Sequence, residues 1–202
     1  ANFLKAHAAG AKVETLGALK EVADAAAVIE GYTPAELKVE SVSAISNTKV
    51  LVTLSEDSTA AASAFTIVQK GTTTPLEVKS VDKEAAKKLV VETDAMTGGQ
   101  AYTLTVYGKT YNFTGLAADT TAPTVVKLSA DDTNTFTVGY SDRMDFASAT
   151  NVENYTMDKG IKVVKAALNA DRTKVTLTTD AAKKNVVYTL TIQNVTNSDG
   201  KL

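Results

Sequence analysis

Three carboxylates make the strongest case for chemistry in this sequence: Asp119, and Asp142 and Asp145 within Ser141-Asp142-Arg143-Met144-Asp145. Calcium and other hard cations take oxygen ligands from Asp, Glu, Asn and backbone carbonyls, so a cluster of these three could hold one. No D-x-[DN]-x-[DN]-G loop accompanies them, and ordinary loop carboxylates, with Arg143 offsetting some charge, account for the same residues. Other chemistries lack their parts. There is no Cys, hence no thiolate nucleophile, disulfide or Cys-ligated metal. The one histidine, His7, cannot build a multi-His site or a triad within the chain and reads as an exposed terminal residue. Ser and Thr are plentiful, but no G-x-S-x-G or similar signature activates one. Glu21, Asp24 and Glu30 read as a solvated helical face rather than a glycosidase pair. The chain is therefore expected to have no catalytic residues and to be no enzyme, with calcium as the one cofactor to consider.

The elements that would position these residues come from an internal repeat. Tyr102-Thr103-Leu104-Thr105-Val106 returns as Tyr188-Thr189-Leu190-Thr191-Ile192, 86 residues on (188 less 102). The same shift carries Lys88–Thr93 onto Lys174–Thr179, and Val50, Val52 and Leu54 onto Phe136, Val138 and Tyr140. Three blocks in one register point to duplication. Each block alternates apolar and polar residues, the period of a half-buried strand. Strands are expected at 37–44, 49–54, 64–69, 75–80, 88–92, 101–107 and 110–114, with Tyr107-Gly108 as a two-residue hairpin turn. About seven short strands in each copy read as an immunoglobulin-like β-sandwich. The fold class is thus all-β: two tandem immunoglobulin-like β-sandwich domains, 36–117 and 122–202, after a short N-terminal helical segment. Tyr102 and Tyr188 are expected to be equivalent core anchors. The second copy stops where the first begins its closing strand, so it is expected to lack that strand, unless the sandwich naturally closes with one fewer.

Residues 1–32 do not join the repeat. Val13, Leu16, Leu19, Val22, Ala23, Ala26 and Ala27 fall on one face of an amphipathic helix, read as a segment from a preceding module. Between the copies, Gly115–Thr124 is a short linker stiffened by Pro123, which favours an end-to-end rod. In such a sandwich the loop after the second strand lies at the end where the domain begins, so Asp142 and Asp145 would approach Asp119 and a calcium ion there would stiffen the joint. A formal charge of −2, from 21 basic and 23 acidic residues, signals no nucleic-acid partner. No apolar run reaches the roughly 20 residues of a membrane span.

Phe65-Thr66-Ile67 and its counterpart Asn154-Tyr155-Thr156-Met157, the Ser-Asp-Arg-Met-Asp loop, the Tyr-Thr-Leu-Thr block and the linker Asp119-Thr-Thr-Ala-Pro-Thr124 together resemble the bacterial immunoglobulin-like repeats of S-layer proteins. Ala1-Asn2-Phe3-Leu4-Lys5-Ala6 is similar to the tail of an S-layer homology motif, a cell-wall anchoring module. The resemblance covers 36–202 and implies an extracellular, cell-surface structural protein whose repeats form a rod and self-associate into a two-dimensional lattice. It also implies attachment to a cell-wall polymer through an upstream module, and calcium in assembly. The alternative is an adhesin stalk or an accessory binding module of a secreted polysaccharide-degrading enzyme. Absence of Trp, and Tyr residues at inward strand positions, argue against a sugar-stacking platform.

Overall fold

Alternation of β-branched and hydroxyl residues sets the architecture, because such strands bury one face and leave the other wet. The computed structural model of the chain describes residues 37–202, so the helix expected over 1–32 and His7 lie outside the described residues. Val39–Leu202 form one compact unit.

Its first half contains β1 (Val39–Ala44), β2 (Lys49–Leu54), β3 (Thr66–Gln69), β4 (Pro75–Leu76), β5 (Val78–Ala85), β6 (Lys88–Thr93), β7 (Ala101–Val106) and β8 (Lys109–Thr114). They make two antiparallel sheets, ordered β1-β2-β6-β5 and β4-β3-β7-β8. Val50, Val52, Leu54, Leu89 and Val91 are buried from the first sheet; Ile67, Tyr102, Leu104 and Val106 are buried from the second. These inward faces build a sandwich-like core. The single strand expected at 75–80 is instead the two-residue β4 and the start of the eight-residue β5, in different sheets. Pro75 has no N–H to donate, which confines β4 to a sheet edge, and the chain crosses to the other sheet at Glu77. The β7–β8 turn forms as expected. Tyr107 and Gly108 both have positive φ, 51° and 70°, the combination of a type I′ turn.

The second half contains β9 (Val125–Asp132), β10 (Thr135–Tyr140), α1 (Phe146–Thr150), β11 (Tyr155–Met157), β12 (Val163–Leu168), β13 (Lys174–Thr179) and β14 (Leu190–Ile192). Its sheet β12-β13-β10-β9 repeats the order β5-β6-β2-β1, and the pair β11-β14 repeats β3-β7. Individual backbone bonds repeat too. Leu54 N–H donates to Lys87 C=O at 2.8 Å, as Tyr140 N–H does to Thr173 C=O at 2.8 Å. Val138, Tyr140, Met144, Tyr155, Val175, Leu177 and Val195 form the second core. Within it the Tyr155 hydroxyl donates to Ala149 C=O at 2.8 Å and lies 3.4 Å from the Tyr140 hydroxyl. The described residues are therefore all-β with one short α-helix, and none of their helices is long and apolar enough to cross a membrane.

One expectation needs correction. Tyr188 lies just before β14 and is half-buried, whereas Tyr102 is 1% exposed, so the two tyrosines are not equivalent anchors. After β14 the chain runs on to 198 and then reverses, with Gly200 N–H donating to Asn197 C=O and Asn197 N–H to Lys201 C=O, both at 2.9 Å, which brings Leu202 to a cleft shared with Ile192 and Val195. Asp145 N–H donates to Thr196 C=O at 2.9 Å and Ser198 N–H to Arg143 C=O at 2.7 Å, which ties 196–198 to the loop after β10. Among the described residues, no counterpart of β4 or β8 is present in this half.

Candidate functional site at the joint between the halves

The linker is anchored to the loop after β10 by reciprocal bonds. Ser141 N–H donates to Thr124 C=O, and Thr124 N–H to Ser141 Oγ, both at 2.9 Å. Asp119 accepts from Thr121 N–H at 2.9 Å and from Thr121 Oγ1 at 2.6 Å, a local turn typical of Asp followed by a hydroxyl residue. These bonds, the Thr121 hydroxyl first, hold its carboxyl below the usual carboxylate range, with smaller help from Asp142 and Asn197. Asp142 accepts from Ser141 Oγ at 2.5 Å.

Asp119 and Asp142 line one open cleft of about 480 Å³, together with Asp171 and Asp199. Asp145 does another job. Its carboxylate accepts from Ser148 N–H at 2.9 Å and caps the N-terminus of α1. Among the described residues, no three acidic or histidine side chains converge closely enough to hold a metal ion.

An enclosed ion pair also crosses the joint. Arg172 sits in the β12–β13 turn with φ 64° and is 5% exposed. Its Nε donates to Met144 C=O at 3.0 Å, and its Nη1 donates to Glu84 Oε1 of β5 at 2.6 Å. The pair is almost fully enclosed, with side chains 6% and 7% exposed. A left-handed backbone at a non-glycine residue costs free energy, and the surrounding bonds hold it there. The residue 86 positions earlier is Ala86, so Arg172 is a departure from the repeat at a turn. That departure was the available signal.

The halves therefore do not meet end to end as the stiff linker suggested. A cleft of about 400 Å³ has Lys49, Val90 and Glu92, from the outer face of the first sheet, on one wall, and Phe146 and Arg172 on the other. At the far end of the same sheet, Asn47 N–H donates to Asp199 Oδ1 at 3.4 Å. The second half leans on the flank of the first.

No protein-family model matches the chain, and no curated protein does so significantly. Among solved structures it is similar to the N-terminal part of the bacterial S-layer protein SbsC, at 22% identity and a TM-score of 0.40 over 86% of this chain and 47% of that one. The S-layer protein rSbsC matches at 19% identity and a TM-score of 0.41, over 92% of this chain and 36% of that one. A pullulanase of Group B Streptococcus matches at 10% identity and a TM-score of 0.34, over 79% of this chain and 22% of that one. The chain spans less than half the length of each of these structures.

Proposed function

We propose that this chain is a structural component of a prokaryotic surface layer, extracellular, whose paired immunoglobulin-like sandwiches space and tile a two-dimensional lattice. The observation that carries the reading is the joint. Two copies of one sheet layout are clamped by an enclosed Arg172–Glu84 pair, which suits a rigid building block better than a module on a flexible tether. Exposed strand edges supply surfaces for contact between copies. The sequence resemblance described above points the same way. The rod in this proposal is stepped rather than straight, because the second sandwich rests on the side of the first.

Calcium belongs to the proposal in reduced form. An ion at the joint would draw on Asp119 and Asp142, which face one cleft, and not on Asp145. Attachment to a wall polymer through an upstream module is likewise part of the proposal. The test is self-assembly of the purified chain, followed by scattering and electron microscopy with and without calcium. Concentration-dependent ordered sheets or filaments are expected; a chain that stays monomeric under all conditions defeats the lattice reading.

A further inference from the structure

The chain between the two sandwiches is fastened from both ends. On the side of the first half, Gly115 N–H donates to Gln100 C=O at 2.8 Å, and Gly115 C=O accepts from Gly99 N–H at 2.9 Å. Ala117 then runs close against Gly98, where an added Cβ would come within 2.7 Å of both Ala117 Cβ and Ala117 N. Backbone that near cannot turn aside, so only glycine fits there. The residue 86 positions on is Lys184, which makes Gly98 a requirement of this contact and not of the repeated fold. Residues through Ala117 therefore belong to the first half.

From Asp119 onward the linker is fastened to the second half. Asp119 accepts from Thr121 N–H and Thr121 Oγ1, and the remaining polar group of Thr121, its C=O, accepts from Asn197 Nδ2 at 3.1 Å. Asn197 is 1% exposed. Its Oδ1 accepts from Asp199 N–H at 3.0 Å and from Lys201 N–H at 2.9 Å, which ties the linker to the 197–201 turn. The bonds between Thr124 and Ser141 complete the hold. Pulling a buried amide away from such partners leaves each of them unsatisfied, which resists the motion. One residue, Ala118, is left between the two fastened stretches, and it is exposed.

We propose that Ala118 is a one-residue hinge, about which the second half swings as a body that includes 119–124, and that the contacts across the joint are a latch holding it in the stepped position. The latch consists of the Arg172–Glu84 pair and the bond from Asn47 N–H to Asp199. Open clefts of about 400 Å³ and 480 Å³, each lined by residues of both halves, flank these contacts and leave room for the swing. Hinges of this kind are a few loop residues that absorb the change in φ and ψ while the packed bodies on either side move unchanged. The inference goes beyond the surface-layer reading and stands without it, because it uses only contacts within one chain. For a lattice component, it would let the same chain meet its neighbours at more than one angle without unfolding.

The test uses the full chain, whose lack of Cys allows one spin label in each half, at Thr73→Cys and Val187→Cys, both exposed positions. The distribution of distances between the labels reads the swing, and with the latch intact it is expected to be narrow. Glu84→Ala with Asp199→Ala opens the latch, and unfolding midpoints check that both sandwiches stay folded. Where that pair melts early, Glu84→Gln with Asp199→Asn keeps the side-chain shapes and serves in its place. With the latch open the distribution should broaden. Ala118→Gly should broaden it further, and Ala118→Pro, which fixes φ, should narrow it. Thr120→Gly lies inside the fastened stretch and should change nothing. Asn197→Asp keeps an oxygen for Asp199 and Lys201 but removes the donor to Thr121 C=O, so in its presence Thr120→Gly should broaden the distribution as Ala118→Gly does. Equal broadening by the two glycine substitutions with Asn197 intact overturns the one-residue hinge. A distribution that stays narrow with the latch open and Ala118→Gly present overturns the proposal as a whole.

Discussion

The hydroxyl of Tyr102 accepts a hydrogen bond from the backbone N–H of Thr97 at 2.8 Å, and it donates to Gln69 Oε1 at 3.3 Å. The first bond recurs at the repeat displacement, where Lys183 N–H donates to the Tyr188 hydroxyl at 2.9 Å. Duplication thus preserved a bond that pins a loop to the strand or chain following it. It did not preserve burial. Tyr102→Ala is expected to cost about 3–5 kcal/mol, the range for large aromatic truncations in a core. Tyr102→Phe keeps the ring but strands the Thr97 N–H, for about 1–3 kcal/mol. Tyr188→Ala is expected to cost clearly less than Tyr102→Ala. Urea unfolding midpoints give the order, and equal losses at the two tyrosines would contradict the burial difference.

Gly115 is required by the same ring. A Cβ there would come within 2.7 Å of Tyr102 Cε2 and 2.8 Å of Thr97 C=O, and a backbone oxygen cannot rotate away. Gly115→Ala is expected to lower stability by about 1–3 kcal/mol, the usual cost of overpacking. Combined with Tyr102→Ala it should cost less than the sum of the two, because the truncation removes one of the clashes. A double-mutant cycle on the unfolding free energies measures that coupling.

Strand positions were legible because period-two alternation is a local signal. Lys49–Leu54 falls on the expected span, and β7 and β8 differ from theirs by one residue at an end. What escaped was tertiary. Glu84 falls between the strands expected at 75–80 and 88–92, and only the packing of one half on the other encloses it with Arg172. Asp145 did carry a local signal, since Asp directly before an apolar residue, here Phe146, is an N-cap pattern. The cation reading of the three carboxylates overlooked that competing demand. The step between halves was invisible for a different reason, because a linker's stiffness limits its reach but says nothing about which face its neighbour will meet.

The division of labour among the three carboxylates is open to calorimetry. Asp145→Asn is expected to leave any calcium heat unchanged, and Asp145→Ala to lower stability by about 0.5–2 kcal/mol through loss of the α1 cap. Asp142→Asn should do the reverse, abolishing calcium heat with little change in the unfolding midpoint. Loss of calcium binding in Asp145→Asn would return that residue to the joint's ligand set.

Stability should fall at both ends of the pH scale, for separate reasons. Asp57 beside Lys83, Asp94 beside Lys79, Asp119 beside Thr121 and Asp131 beside Thr137 all titrate below the ordinary carboxylate range, chiefly through those side-chain bonds. A depressed carboxyl favours the folded state above its unfolded value, about 3.9, and the benefit is lost as pH falls through the folded value. Burial pushes Tyr140 and Tyr155 upward, so their contribution is complete below about 10 and is lost as pH rises beyond it. Thermal midpoints measured across pH should be flat near neutrality and drop at each end. Asp119→Asn should flatten part of the acid limb and leave the alkaline limb alone.

The enclosed Arg172–Glu84 pair makes the most direct prediction about the joint. Removing one partner leaves a charge out of water without its counter-ion, so Arg172→Ala or Glu84→Ala is expected to cost about 3–5 kcal/mol. Replacing both by apolar residues of similar size, Arg172→Met with Glu84→Leu, should recover most of that loss, because the cost lies in the orphaned charge rather than in the missing attraction. Arg172→Gly separates the two roles of the residue. It relieves the left-handed backbone but leaves Glu84 unpaired, and it should remain destabilising. Scattering on the singly substituted chains should show the halves parting. An unchanged profile and midpoint in both single variants would mean that the contact along the sheet flank, and not this ion pair, fixes the step between the halves.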